Sequence, residues 1–587
     1  MILLVKRLWI QINTKRKRQL GFVMILMIMA SVAEIVSIGA VVPFLSVLAN
    51  PEVVYEHEKL QYFIKYFGIT NSSQLLLPFT LIFSIAAILA GLTRIVLLWS
   101  QTKLAAAIGA DFSFQIYNHT LFQSYSEHIA QNSSEVIAAI STKTDQVVGQ
   151  TLLPILAILS SCIMLGMILI LLMIIHFAMT LSAIAGFAFI YSILILATKK
   201  KLHLNSHVIS QNTTKMIKFL QEGLGGIRDI LIDGTQATYS RAFKSVDGAR
   251  RRGLANNQIM AQGPRYGIEA LGMVLIAFLA FSLSETEAGI IGALPMVGAL
   301  AVGAQRMLPM LQHIYGSLSL IRGSQGILEN SLTFLERPIP EHAKKLKEEN
   351  ILFQNEIVLN NLGFCYQKNA PWVLTEINLK IPKGSVIGFI GTTGSGKSTL
   401  LDIIMGLLPP TSGKLIIDQQ PINNQNNRSW QAHIAHVPQN IFLSDGSIEE
   451  NIAFGIAKEK IDYQRVKKAA KQAQIAELIE EWKEGYQTFI GERGVRLSGG
   501  QRQRIGIARA LYKEANVLIF DEATSALDSE TEREVMKAIK SLGKEITVLI
   551  IAHRLTTLKE CDKIVKLDKN QTIHEGSYRE IIGEQKL

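Results

Sequence analysis

Nine residues, GTTGSGKST from Gly391 to Thr399, have the types and spacing that can hold a polyphosphate. They fit the pattern G-x-x-x-x-G-K-[ST] at Gly391, Gly396, Lys397 and Ser398, with Thr392, Thr393, Gly394 and Ser395 between. Glycines let backbone N–H groups approach phosphate oxygens, and a helix starting there adds partial positive charge. Lys397 would neutralise the terminal phosphates, and the Ser398 hydroxyl would ligate Mg²⁺. The pattern needs a strand before it and a helix after it. SVIGFI (Ser385–Ile390) reads as that strand and STLLDIIMGL as that helix.

Further along, VLIFDE places four apolar residues before two acids. A buried strand would deliver Asp521 to the metal and Glu522 to a water. Between the two stretches, LSGGQRQR (Leu497–Arg504) sets Ser498, Gly499, Gly500 and Gln501 at a helix start, a second place for an anion. The residues alone leave open whether the two loops serve one nucleotide or two.

The elements around these loops differ in kind from those at the start of the chain. The 587 residues are 18% charged. Long apolar runs fill the region from Leu20 to about Met310, whereas the sequence from Asn350 onward alternates as an α/β protein does. Six runs are long enough to span a bilayer: about 20–49, 75–99, 147–175, 178–198, 266–284 and 288–312. Pro43 is a candidate kink in the first. Residues 1–19 hold six basic residues and no acid, which places the N-terminus in the cytosol. The basic 199–262 connection agrees, and so does SETEAG, whose Glu285 and Glu287 suit an outside loop. The net charge of +11 lies largely in loops flanking the apolar runs, so a nucleic-acid partner is not expected. Three cysteines without a CxxC spacing exclude a disulfide framework and that type of metal site.

Connections 100–146 and 199–262 are longer than hairpins need, and their helical patterns predict helices running on past the membrane. In the outside loop Tyr55–Ile69, Leu60, Phe63, Ile64 and Phe67 form one apolar helical stripe. It suits either an interfacial helix or a small cap on other loops. Arg94, Arg265 and Arg306 lie in or at the ends of apolar runs, and His313 follows Arg306 by seven residues. They either snorkel toward the cytosol or form a basic ring for an anionic head group.

The motifs from about 356 to 580 resemble, in order, the ATP-binding cassette of ABC transporters. The resemblance implies that Tyr366 stacks on adenine, and that Gln439 in HVPQN reaches Mg²⁺ and the attacking water. It further implies Glu522 as general base, Asp528 in SALD at a dimer contact, and His553 in IAHR at the γ-phosphate. In that family Ser498 of one cassette closes on the nucleotide held by the Lys397 loop of another, so a chain with one cassette pairs with a second copy or with a related half. Six helices followed by one cassette resemble an ABC exporter half-transporter. The implied fold is an α-helical membrane domain (1–325), a linker (326–350) and an α/β P-loop NTPase cassette (351–587). Short coupling helices are expected near 122–130 and 227–237.

Three stretches, AEIVSIGAVVPF, QGPRYGIEALG and QRMLP, are similar to segments of the bacterial lipid-linked oligosaccharide flippases of protein N-glycosylation. There the arginines line a cavity for a polyprenyl pyrophosphate; His313 departs from that pattern, which has an arginine. The resemblance implies ATP and Mg²⁺ as cofactors, a location in the bacterial cytoplasmic (inner) membrane with a cytosolic ATP-binding domain, and a lipid-linked oligosaccharide as cargo. The alternatives are a multidrug or plain-lipid exporter and, in another class, an ATP-gated channel or regulatory membrane protein.

Overall fold

The computed structural model describes all residues except 50, 57–69, 176, 271–272, 275–276, 278–288, 341–350, 368–369, 524–525, 542–544, 553, 569–572 and 584–587. The chain divides into two compact units: Met1–Gln123 with Gln131–Ile339, and Ser124–Ala130 with Pro340–Leu587.

The first unit is helical. Its long helices are Thr14–Gly39, Leu76–Leu121, Leu153–Ile175, Phe177–Gly225, Gln236–Gln262 and Gly289–Gly323. Among the described residues three helical stretches, Thr14–Leu48, Ser72–Leu121 and Ser133–Ile174, are long and apolar enough to cross a membrane. Several helices run well past the apolar runs, as their long connections require. The first run breaks at Ala40, between Thr14–Gly39 and Val41–Ala49. Pro43 explains the position, because it cannot donate to Gly39, four residues back, and its ring crowds that carbonyl. The helix Thr14–Gly39 is two-sided: Val23, Met27, Ala30 and Glu34 are buried, while Phe22, Ile25, Met29, Val32 and Val36 are exposed. Exposed Leu81, Ile85, Ile88, Leu92 and Ile95 make a similar apolar face on Leu76–Leu121, the kind of surface that lipid covers.

This unit extends past the expected boundary at 325. Helix Gln325–Leu335 contributes Ile327, Leu328, Leu332, Phe334 and Leu335 to the same apolar core as Leu4, Leu8 and Ile108. Arg7 grips Glu336 through both carboxylate oxygens, at 2.8 and 2.6 Å. The helix therefore belongs to the unit before it, not to a linker. The short helix Ile227–Ile232, bounded by Gly226 and by Gly234 at φ +64°, falls where the second coupling helix is expected. The other, Tyr125–Ala130, falls within the segment that groups with the second unit. The stripe around Leu60–Phe67 and most of the 266–284 run lie outside the described residues.

The second unit holds two sheets. An antiparallel sheet orders β2-β1-β4-β5, with β1 Glu356–Phe364, β2 Leu374–Pro382, β4 Ser412–Ile417 and β5 Gln420–Pro421. The other orders β10-β9-β3-β8-β7-β6. Here β3 is Val386–Gly391, β6 Ile434–Val437, β7 Val517–Asp521, β8 Thr547–Ile551, β9 Lys563–Leu567 and β10 Ile573–Gly576. Strands β9, β3, β8, β7 and β6 are mutually parallel, and β10 is antiparallel to β9. Parallel sheets are covered on both faces, so their strands read as unbroken apolar runs. Alternate residues accordingly enter separate cores: Leu518, Phe520, Val548 and Ile550 one, and Val517, Ile519, Leu549 and Ile551 the other.

Candidate functional site: the C-terminal edge of the parallel sheet

In an open parallel sheet the loops leaving the C-terminal ends of adjacent strands gather along one edge. The register here brings Phe389 of β3 level with Ile551 of β8, Ile551 level with Asp521 of β7, and Phe520 level with Val437 of β6. Gly391 is two residues beyond Phe389, Glu522 two beyond Phe520, and Gln439 two beyond Val437. Three motifs far apart in sequence therefore leave the sheet side by side.

The phosphate loop turns from β3 into helix Lys397–Ile404 through Gly394 at φ +84° and Gly396 at φ +93°, backbone angles that favour glycine. Lys397 is buried, and its Nζ donates to the carbonyl oxygens of Gly391 (2.8 Å) and Thr392 (3.0 Å). Burial lowers its pKa, and the charges of Glu522 and Asp521 oppose that shift. The Ser395 hydroxyl is buried in the loop without a hydrogen-bond partner. A loop of this shape, with a lysine at its centre and a hydroxyl in need of a partner, fits a polyphosphate.

Gln439 Nε2 donates to Glu522 Oε2 at 2.7 Å. Glu522 itself sits at φ +52°, a left-handed conformation uncommon for a non-glycine residue. The amide nitrogen of Gln439 is engaged on the carboxylate, so its carbonyl oxygen is the end a cation would meet. That oxygen, the Asp521 carboxylate and the Ser398 hydroxyl would supply the all-oxygen donors that Mg²⁺ prefers. Tyr366 stands at the loop's other flank: 52% exposed, it shares a hydrogen bond with Thr399 Oγ1 at 3.1 Å and packs edge-on to Phe364.

Ser498 caps helix Gly499–Tyr512, with Gln501 N donating to its hydroxyl and the Gln501 side chain accepting from Ser498 N. This reciprocal cap fixes an exposed helix start. Asp528 caps Ser529–Lys540 by accepting from the backbone N–H groups of Glu530 and Thr531, and Thr531 Oγ1 donates to it at 2.6 Å. These bonds, led by the Thr531 hydroxyl, lower its pKa. His553 lies outside the described residues.

Sequence reasoning passed over Asp402, on the phosphate-loop helix. Burial, and then the charge of Asp521, raise its pKa to about 6. It also passed over Glu34, in the first unit. That carboxylate is 1% exposed and holds Arg306 Nη1 at 2.9 Å and Arg94 Nη1 at 3.6 Å. Arg265 Nε pairs with Glu269 Oε1 at 2.8 Å, and Gln312 donates to the same oxygen. His313 lies within Coulombic range of Arg265 and Arg94. Each arginine of the expected basic ring thus has a carboxylate partner. An acid inside an apolar run was the available signal, since such residues are costly and invite a functional reading.

The fold matches a solved structure described as a bacterial Atm1-family ABC exporter with ATP bound, with a TM-score of 0.78 over 98% of this chain and 97% of that one, at 21% identity. Residues 374–525 match the ABC transporter family model. An ATP-dependent lipid A-core flippase of Alkalilimnicola ehrlichii is 32% identical over 68% of this chain and 67% of its own length. The protein of the same name from Cupriavidus metallidurans is 33% identical over 65% and 64%. A toxin RTX-I translocation ATP-binding protein of Actinobacillus pleuropneumoniae is 40% identical over 43% and 35%. The chain thus spans 64% and 67% of the length of the two lipid A-core flippases. It belongs to the ABC transporters, with an exporter-type helical domain fused to one nucleotide-binding cassette.

Proposed function

We propose that this protein is an ATP-driven exporter of an amphipathic substrate, working as a pair of copies in a bacterial cytoplasmic membrane with both cassettes in the cytosol. The observation that carries this reading is the 2.7 Å Gln439–Glu522 bond at the sheet edge that also holds the phosphate loop. Glu522 is suited to take a proton from water, and Gln439 to fix the direction of its carboxylate. Lys397 and the loop amides would hold the phosphates, with Tyr366 beneath the base and His553 at the γ-phosphate. Mg²⁺, on Ser398, Asp521 and Gln439, would supply charge neutralisation. The reciprocal cap at Ser498 and the threefold-accepting cap at Asp528 give both residues rigid, exposed positions from which to meet a second cassette.

The best-supported cargo is an anionic glycolipid, with a polyprenyl-diphosphate-linked oligosaccharide as the particular assignment. Arg94, Arg265, Arg306 and His313 supply the positive side of such a site. Relatives named as lipid A-core flippases point to the same broad class. A multidrug or plain-lipid exporter is favoured by a different observation: an apolar cavity of about 180 Å³ lined by Leu165, Phe187, Tyr191, Met307, Leu311 and Tyr315 among others.

The test is reconstitution in liposomes carrying either a fluorescent polyprenyl-diphosphate oligosaccharide or fluorescent lipid A-core, with Glu522→Gln as the inactive control. ATP-dependent movement of the first lipid supports the particular assignment, and movement of the second alone replaces it. ATP hydrolysis with neither lipid moving refutes both and favours the apolar-cargo exporter, for which replacing the three arginines with Gln leaves transport intact.

A further inference from the structure

Glu34 is built into the charged cluster, not placed there to face water. Its carboxylate is buried, it lies on the packed face of Thr14–Gly39 with Met27 and Ala30, and it reaches arginines on two other helices, Leu76–Leu121 and Gly289–Gly323. The two arginines it joins remain 39% and 41% exposed on their other sides. Their free N–H groups are therefore accessible to a ligand while their charge is half-neutralised from behind. With Arg265 matched by Glu269, the cluster keeps one positive charge in excess. An apolar cavity opens on another face of the same Gly289–Gly323 helix, lined by Met307, Leu311 and Tyr315, so the helix that carries Arg306 also carries apolar volume on a second side.

We propose that Glu34 is the resident counter-ion of an anion site, and that a substrate's phosphate binds Arg94 and Arg306 by exchange with it. This rests on the anionic-amphiphile reading above. Two physical needs are met together. Between substrates, Glu34 keeps two guanidinium groups paired at a depth where bare charge is costly. During loading, a ligand must outcompete a carboxylate already in place. A diphosphate, with more charge and more acceptor oxygens, does this better than a single weak anion or an uncharged lipid. Glu34 therefore acts as a specificity-determining residue as well as a stabilising one.

The test uses the full-length protein in nanodiscs, with farnesyl diphosphate and its uncharged alcohol, farnesol, as probes. The readout is the ratio of their two affinities, from calorimetric titration. The wild-type protein should favour the diphosphate. Glu34→Gln should enlarge the ratio roughly tenfold, the scale of one charge-assisted hydrogen bond released for the ligand. Arg306→Gln should shrink it. The double variant Glu34→Gln/Arg306→Gln, which keeps the single excess charge on Arg94, should return to the wild-type ratio or above. An unchanged or smaller ratio in Glu34→Gln, alongside a clear wild-type preference, overturns the counter-ion and leaves the anionic cargo standing. Should two unshielded arginines prevent Glu34→Gln from folding, the double variant decides: a ratio as low as that of Arg306→Gln alone overturns the proposal. If the wild-type protein and Arg306→Gln both bind the two probes alike, the anionic-cargo reading itself falls, and the counter-ion with it.

Discussion

Replacing Gln439 with Ala removes the 2.7 Å hydrogen bond that orients the Glu522 carboxylate. A hydrogen bond to a charged group contributes about 1.5–3 kcal/mol, and each 1.4 kcal/mol is about a tenfold change in rate. If that bond positions the base, Gln439→Ala should lower kcat for ATP hydrolysis by roughly 10- to 150-fold. In a Glu522→Gln background there is no base to position, and the same substitution should lower the residual rate by less than about threefold. Single-turnover assays with radiolabelled ATP can follow the slow variants. Equal losses in the two backgrounds would refute the idea that Gln439 works through Glu522. Raising Mg²⁺ separates the other role: recovery of Gln439→Ala at high metal would make metal ligation, not carboxylate orientation, the main function of the amide.

Other expectations follow from single features. Glu522 is held at φ +52°, which costs a residue with a side chain about 1–2 kcal/mol, so Glu522→Gly should abolish turnover yet raise the cassette's Tm by about 2–8 °C in calorimetry; a lowered Tm would show that the strain is not there. Asp402 has a folded pKa of about 6, above the ordinary value of 3.8, so its share of stability is fully present below pH 3.8 and is lost as pH rises through 6. Asp402→Asn should therefore stabilise the protein at pH 8 by on the order of 1–3 kcal/mol, seen as a raised Tm, and flatten the pH dependence between these values; equal Tm profiles would refute it. Lys397→Ala and Ser498→Arg should each inactivate a homodimer, while a mixture of the two protomers should recover part of the ATPase activity through one intact composite site; a mixture as inactive as its parts would argue against nucleotide shared between copies.

What could be read from the sequence was mostly local. The phosphate loop announced itself because its glycine angles, its strand and its helix are consecutive, and Pro43 marked a helix break that fell three residues before it. The capping pair Ser498 and Gln501 is equally short-range. By contrast, the meeting of Gln439 with Glu522 depends on β6 lying next to β7, a pairing across 83 residues that no spacing rule reveals. Glu34 was obscured for another reason: one acid hardly alters the mean hydropathy of a long apolar run. The expected boundary at 325 followed the family resemblance, whereas the core buries Phe334 and Leu335 with the first unit.

The helix Phe177–Gly225 runs without interruption for 49 residues, about 73 Å at the usual rise. Lys199, Lys200 and Lys201 divide it: about 33 Å of mostly apolar rod lies before them and about 36 Å of more polar rod after. Lysines of this kind hold a helix at the membrane surface, so they make a natural fulcrum with two nearly equal arms. A tilt of about 5° would carry the polar tip roughly 3–4 Å one way and the apolar tip almost as far the other. Such a lever neither magnifies nor wastes motion. Any travel at the polar tip is returned, nearly ångström for ångström, at the apolar one.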